Sequence, residues 1–181
     1  GNTGVQNPST ARITMDRNGN VTLFTGCADI GQGSTTVLAQ IAAEVLGLAP
    51  DSIRLVVADT QCTTNAGAMS ASRQTYISGN AVKGAAENLA DILLTEAVNK
   101  LKAPKTSLRL DSGFVRVVDN PDKKIEFSWL ARRIHEKGLP LAWNGFFDPD
   151  TVPLDPETGQ GVPYATYAFA CQLAMLIVDT L

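Results

Sequence analysis

Two short runs of small polar residues hold most of the chemistry this sequence could perform. Gly31-Gln32-Gly33-Ser34-Thr35-Thr36 places glycines and hydroxyls where the apolar spacing turns helical, and Ser70-Ala71-Ser72-Arg73-Gln74 opens a second helical stretch in the same way. A helix start leaves its first amides without intrahelical partners and carries the positive end of the dipole, so each run could hold phosphate or another anionic oxygen. Gln74 offers a donor and an acceptor, while Arg73 offers a planar fork for phosphate or carboxylate. Each run also reads as a plain capped turn, with Gln32 toward solvent in the first and a surface arginine behind a serine N-cap in the second. Convergence of the two starts would clamp a large polar ligand bearing phosphate, without any metal-ligating side chain.

Other constellations are weaker. A dinucleotide fingerprint needs a third glycine where Thr36 stands, and no P-loop Lys-Ser/Thr ending follows. His135 is the only histidine, which removes a histidine metal cluster and leaves it as an ordinary exposed residue of a charged helix. Cys27, Cys62 and Cys171 are widely spaced and give no Cys-x-x-Cys pair, in keeping with a reducing, cytoplasmic setting; Cys27 and Cys62 could approach through the adjacent loops but read as buried, inert thiols. Asp29, Glu44 and Asp59 could bring a carboxylate near the first glycine turn, yet no general base emerges from them. Catalytic and metal-ligating residues are therefore expected to be absent from this chain.

The elements that must position these runs follow from periodicity. Ala11–Met15 and Val21–Thr25 flank Asp16-Arg17-Asn18-Gly19 and read as an antiparallel hairpin. Leu38, Ile41, Ala42 and Val45 give a helix closed by Gly47 and Pro50, and Ile53–Ala58 gives a β-branched strand before an irregular Thr-rich loop at Asp59–Met69. From Ser72 to about Leu101 the 3.6-residue period makes the longest helix, in which Gly79 and Gly84 each cost roughly 1 kcal/mol and call for close packing or a ligand. A second hairpin turns at Asp111-Ser112-Gly113, a short strand covers Lys124–Phe127 and a short helix Ser128–Glu136. Asn144–Gly161, with three prolines, reads as an extended surface loop before a final strand at about Tyr164–Val178. The fold class is α+β, with mixed or antiparallel sheets packed on two principal helices, in two lobes at 1–103 and 104–181.

The 181 residues, 44% apolar, suffice for one domain or two packed lobes. A net charge of −3 supplies no overall basic field, so neither nucleic acid nor acidic lipid is an expected partner. No apolar stretch has the length of a membrane span, and no secretory signal is expected. The absence of an initiating methionine and the ending at Asp179-Thr180-Leu181 suggest a fragment of a longer polypeptide.

The two runs and the residues between them resemble the xanthine dehydrogenase/aldehyde oxidoreductase family, the molybdenum hydroxylases. The resemblance rests on Thr25-Gly26, Gly31-Gln32-Gly33, Thr36, Gln40, Glu44, Leu46-Gly47, Asp59-Thr60, Ala71-Ser72-Arg73-Gln74 and Gly79-Asn80-Ala81-Val82, in that order. Glu87-Asn88-Leu89 points to the bacterial aldehyde-oxidoreductase-like branch, and the likeness continues more weakly through Gly159 and Tyr164 to Asp179.

The resemblance implies part of a molybdopterin-binding domain, in which Gly31, Gln32, Gly33 and Thr36 lie against the pyranopterin near molybdenum. It likewise implies that Ser70, Ala71, Ser72, Arg73 and Gln74 contact the pterin and the phosphates of a cytosine dinucleotide form. The implied parent is an oxidoreductase hydroxylating an aldehyde or an aromatic N-heterocycle with water-derived oxygen. Its partners would be the remainder of the molybdenum-binding subunit, an iron-sulfur subunit or domain, and a possible FAD subunit or domain. The family's Gly-x-Gly-Glu segment with its glutamate base, and its upstream glycine-rich loop, do not occur in these residues, so the chain alone is expected neither to retain the cofactor nor to turn over. The Thr60–Gly67 loop also lacks the family's frequent proline. Competing readings are a non-catalytic scaffolding or interaction domain and a nucleotide-binding domain without molybdenum.

Overall fold

A computed structural model describes residues 7–70, 72–164, 166 and 171–180. Strand β1 (Ser9–Met15) and strand β2 (Val21–Thr25) form the hairpin that the alternation predicts, with Ala11 opposite Thr25 and Met15 opposite Val21. The turn is closed by Asp16, whose carboxylate accepts the Asn18 and Asn20 amides at 2.8 and 2.9 Å. Ala11, Ile13, Met15, Val21 and Leu23 all point to one buried face, as the two-residue period of a strand requires. Helix α1 (Ser34–Leu46) then crosses to strand β3 (Ile53–Val57), which runs parallel to β2.

Helix α2 (Gly79–Leu101) is the spine of the molecule and is preceded by a π-helical turn at Gln74–Ser78. The expected helix start at Ser72 is thus displaced: Ser72 has φ 61°, outside helical space, and the first turn is wide. Leu89 and Leu93 on α2 are fully buried, each worth roughly 1.5–3 kcal/mol relative to exposure. Past α2, strands β4 (Leu108–Asp111), β5 (Phe114–Val117) and β6 (Asn120–Glu126) form an antiparallel three-stranded sheet in that order. Its inner side chains Leu108, Val115 and Ile125 join the same core as α2. Helix α3 (Phe127–Glu136) follows, burying Phe127, Leu130, Ala131 and Ile134.

Two expectations for the last third are corrected. The extended loop expected at Asn144–Gly161 does not begin at Asn144: residues 144–147 belong to strand β7 (Ala142–Phe147), antiparallel to β1 at the edge of a four-stranded mixed sheet ordered β3-β2-β1-β7. The strand escapes a reading by alternation because the central inward position is Gly145. A Cβ there would lie 1.9 Å from the Ala81 carbonyl oxygen, so glycine lets β7 lie directly on α2. Of the two helix glycines, Gly79 is closely packed, since a Cβ there would lie 2.8 Å from Ile41 Cδ1, whereas at Gly84 the nearest atom, the Gly145 Cα, is at an ordinary 3.9 Å and close packing does not require glycine. The final strand expected at 164–178 is not formed by its described residues, 164, 166 and 171–178, which pair with no strand. Leu173, Met175, Leu176, Ile177 and Val178 are all at least 75% exposed, so their β propensity has no ladder or apolar surface against which to act.

Candidate functional site

The two polar runs come together. Asp29 through Gly33 loop out of β2, and the segment from Met69 to the π turn returns beside them. The Gln32 side chain folds over its own loop, its Oε1 accepting the Ile30 amide at 2.7 Å. Its Nε2 faces four acceptors: Ala28 O at 3.2 Å, Ser34 Oγ at 3.3 Å, and Met69 Sδ and Gln74 Oε1, each at 3.5 Å. Two amide hydrogens cannot serve four acceptors at once, so Gln32 is a junction rather than a locked contact. Gln74, 8% exposed, donates from Nε2 to the same Ala28 carbonyl at 3.4 Å.

Around this junction the surface is open. Gly31 and Gly33 have φ of 102° and 76°, and a Cβ on either would meet nothing within 4 Å. Thr36, Ser70 and Ser72 are exposed alongside, and Met69 and Tyr76 add 37%-exposed apolar rims. Ala71, the remaining expected contact, lies outside the described residues.

Two details differ from the sequence reading. The α1 start is not a set of free amides: Asp29 accepts from Gly31 N at 2.8 Å, Gly33 N at 3.3 Å, Thr35 N at 3.2 Å and Thr35 Oγ1 at 2.9 Å. These bonds, led by the Gly31 amide, pull the Asp29 carboxyl down to about 2. An internal carboxylate thus takes the place a ligand phosphate would need, and what the loop presents outward is Gln32. Asp29 was legible only as a carboxylate near the turn; the Asp-x-Gly spacing of an Asx turn is the signal that assigns it.

Arg73, in turn, is neither a surface residue nor a free fork. It is 2% exposed, and all of its donors go inward. Nε reaches Asn7 Oδ1 at 2.8 Å, Nη1 reaches the carbonyls of Ala66 and of Ala68 (3.1 Å), and Nη2 reaches the carbonyls of Asn7 at 3.1 Å and Pro8 at 2.8 Å. Five donors and five bonds leave nothing for an external phosphate. Burial lowers its pKa from the ordinary arginine value, with Cys27 and Asp148 opposing that shift. Arg73 therefore ties the 66–68 loop to the chain before β1 and fixes Gln74, its neighbour, in the junction. Nor does a hydroxyl cap either start: the Gly33 and Thr35 amides go to the Asp29 carboxylate, and the Arg73 amide meets the Ser70 carbonyl at 3.2 Å.

Elsewhere, Cys27 is buried, Cys62 half-buried and Cys171 exposed, all as free thiols, and His135 touches Arg17 at the surface. Among the described residues no three of His, Cys, Asp and Glu gather into a metal cluster. No helix among them is long and apolar enough to cross a membrane.

Residues 1–181 match, over their whole length, the molybdopterin cofactor-binding domain family. The chain belongs to that family. A putative xanthine dehydrogenase molybdenum-binding subunit of Escherichia coli is 28% identical over 171 residues, 93% of this chain and 21% of that protein. The nicotine 6-hydroxylase large subunit of Paenarthrobacter nicotinovorans is 29% identical over 140 residues, 77% of this chain and 17% of its own. Among solved structures, quinoline 2-oxidoreductase of Pseudomonas putida 86 shares the fold, with a TM-score of 0.69 at 24% identity over 85% of this chain and 22% of that one. Reconstituted CO dehydrogenase of Oligotropha carboxidovorans gives 0.68 at 26% identity, over 77% of this chain and 18% of that one. The chain thus spans about a fifth of the length of the curated relatives it matches. As a molybdopterin cofactor-binding domain it falls within a family of oxidoreductases, and its α+β fold is the family's.

The residues at the junction suit such a cofactor. Two carboxamides can serve the mixed donors and acceptors of a pterin, and the bare backbone at Gly31 and Gly33 leaves room for a flat ring system.

Proposed function

We propose that this chain forms one wall of the pterin and dinucleotide site in a molybdopterin-dependent oxidoreductase acting on an aldehyde or an aromatic N-heterocycle. The meeting of Gln32 with Gln74 and Ala28 O carries the reading, because it turns two sequence-distant helix starts into one surface. Gly31, Gln32, Gly33 and Thr36 would lie against the pyranopterin, with Ser70, Ala71, Ser72 and Gln74 along the dinucleotide, in its cytosine form. Arg73 acts as a positioning residue, holding that rim from behind.

When bound, the cofactor supplies the redox chemistry that places a water-derived oxygen on an electrophilic carbon. The residues of this chain orient it: Gln32 donates and accepts at the edge, Asp29 stiffens the loop beneath, and the bare glycine backbone permits close approach. The glutamate base, the iron-sulfur centres and any FAD belong to other segments or subunits, in a cytoplasmic assembly. Residues 1–103 form the cofactor-facing lobe, and 104–181 an outer lobe that β7 ties back to β1.

The test is Gln32→Ala and Gln74→Ala in the intact parent enzyme, with molybdenum and pterin content measured alongside turnover. Loss of cofactor or at least tenfold lower activity supports the reading. Native content and turnover in both variants overturn it.

A further inference from the structure

The net charge of −3 conceals a strong segregation. Ten of the fifteen Lys and Arg lie between residues 100 and 137 against five of the eighteen Asp and Glu, so that stretch carries +5 and the rest of the chain −8. The register of the second sheet concentrates part of this charge: Arg109 lies directly opposite Arg116, and Arg116 directly opposite Lys124. Three cations thus form a row across β4, β5 and β6, about 5 Å from strand to strand. Like charges set directly opposite one another destabilise a sheet, and the inner face needs none of them, since Leu108, Val115 and Ile125 fill it.

Internal neutralisation is thin. Arg116 Nε and Arg109 Nη2 share one carboxylate, Asp111, at 3.1 and 3.8 Å. Arg116 and Lys124 both sit over the Phe114 ring, at 5.2 and 4.5 Å. Strand β6 adds two exposed carboxylates, Asp122 and Glu126, and Glu126 accepts from Ser128 Oγ at 3.1 Å. The Arg109 side chain remains 54% exposed, and Lys124 is exposed. The patch is also separate from the Gln32 junction. Lys105, just before β4, bonds to Asp91 and Thr95 of α2, about 18 Å along the helix from its start at Gly79.

We infer that the outer face of the β4-β5-β6 sheet is a docking surface for an acidic segment of a partner protein. The cation row asks for carboxylates, and an extended segment presents side chains of one face about 7 Å apart, a spacing that spans the row. The rest of the chain carries −8, a field that repels a long phosphate polymer or an acidic membrane more than a short acidic segment confined to the patch. Phe114 gives the contact an apolar centre of the kind protein interfaces carry.

The test titrates the purified chain with a fluorescent glutamate decapeptide, a ten-nucleotide single-stranded DNA and vesicles of 30% phosphatidylserine at two salt concentrations. The expected result is peptide binding that weakens about tenfold or more in R109E/K124E, by an intermediate amount in R109Q/K124Q, and less than about twofold in R109K/K124R. Binding in the two charge-altering variants should also depend less on salt. Thermal melts identify any variant that fails to fold, and the glutamine pair then carries the comparison. Peptide binding that is absent, unchanged in the folded charge-altering variants, or weaker than DNA or vesicle binding through the same residues overturns the inference.

Discussion

The carboxamide of Gln32 lies 3.5 Å from that of Gln74, 42 residues further along the chain, and both donate to the carbonyl of Ala28. Neither side chain makes this geometry alone. Asp29 holds the first loop and Arg73 the second, so the junction depends on two charged residues whose charges are spent within the protein.

Because Gln32 is exposed, its loss should separate function from folding. In the parent enzyme Gln32→Ala is expected to lower cofactor content or turnover at least tenfold while shifting stability by no more than about 0.5 kcal/mol. Calorimetry beside molybdenum analysis checks both halves; a large fall in the melting temperature would show that the residue is mainly structural.

Arg73 should behave in the opposite way. Arg73→Ala removes the donor to the buried Ala66 carbonyl and those to the carbonyls of Pro8 and Ala68, and a loss of about 3 kcal/mol in unfolding free energy is expected even without cofactor. Arg73→Lys keeps the charge but not the five-donor fork, so it should recover only part of that loss. Denaturant titration of the isolated chain measures both; wild-type stability for the alanine variant would falsify the staple.

The Asp29 carboxyl is depressed from 3.8 to about 2 in the folded chain. A depressed folded value stabilises at pH above the unfolded value, and the contribution is lost as pH falls from about 4 through 2. Asp29→Asn should therefore flatten the acid limb of a melting-temperature profile between those pH values, and should speed hydrogen exchange at the Gly31, Gly33 and Thr35 amides at neutral pH. Profiles that superimpose on wild type, with unchanged exchange, would remove Asp29 from its assigned place.

Two glycines in one contact should respond differently to alanine. A Cβ on Gly145 would strike the Ala81 carbonyl oxygen at 1.9 Å and the Ala85 nitrogen at 2.5 Å, so Gly145→Ala should force β7 off α2 at a cost of about 3 kcal/mol. At Gly84 the nearest atom is 3.9 Å away, and Gly84→Ala should be neutral or stabilise by up to about 1 kcal/mol through helix propensity. Equal effects in chemical denaturation would contradict the packing.

Periodicity alone located the first hairpin, α1, β3, the body of α2 and the turn at Ser112-Gly113, because each bears its own alternation, apolar stripe or turn residues within a few positions. The same local signals marked Gln32 and Gln74 as polar residues at helix starts. Their meeting was decided by tertiary structure, as was the use of Asp29 and Arg73, since a side chain's donors and acceptors are assigned by whatever the fold brings within 3 Å. Strand β7 and the 171–178 segment show the same division from the other side. The first is a strand despite a glycine at its inward centre, because β1 and α2 offer a surface that only glycine fits. The second has β-forming residues and remains outside the described sheets, because a ladder needs a second strand and propensity cannot supply one.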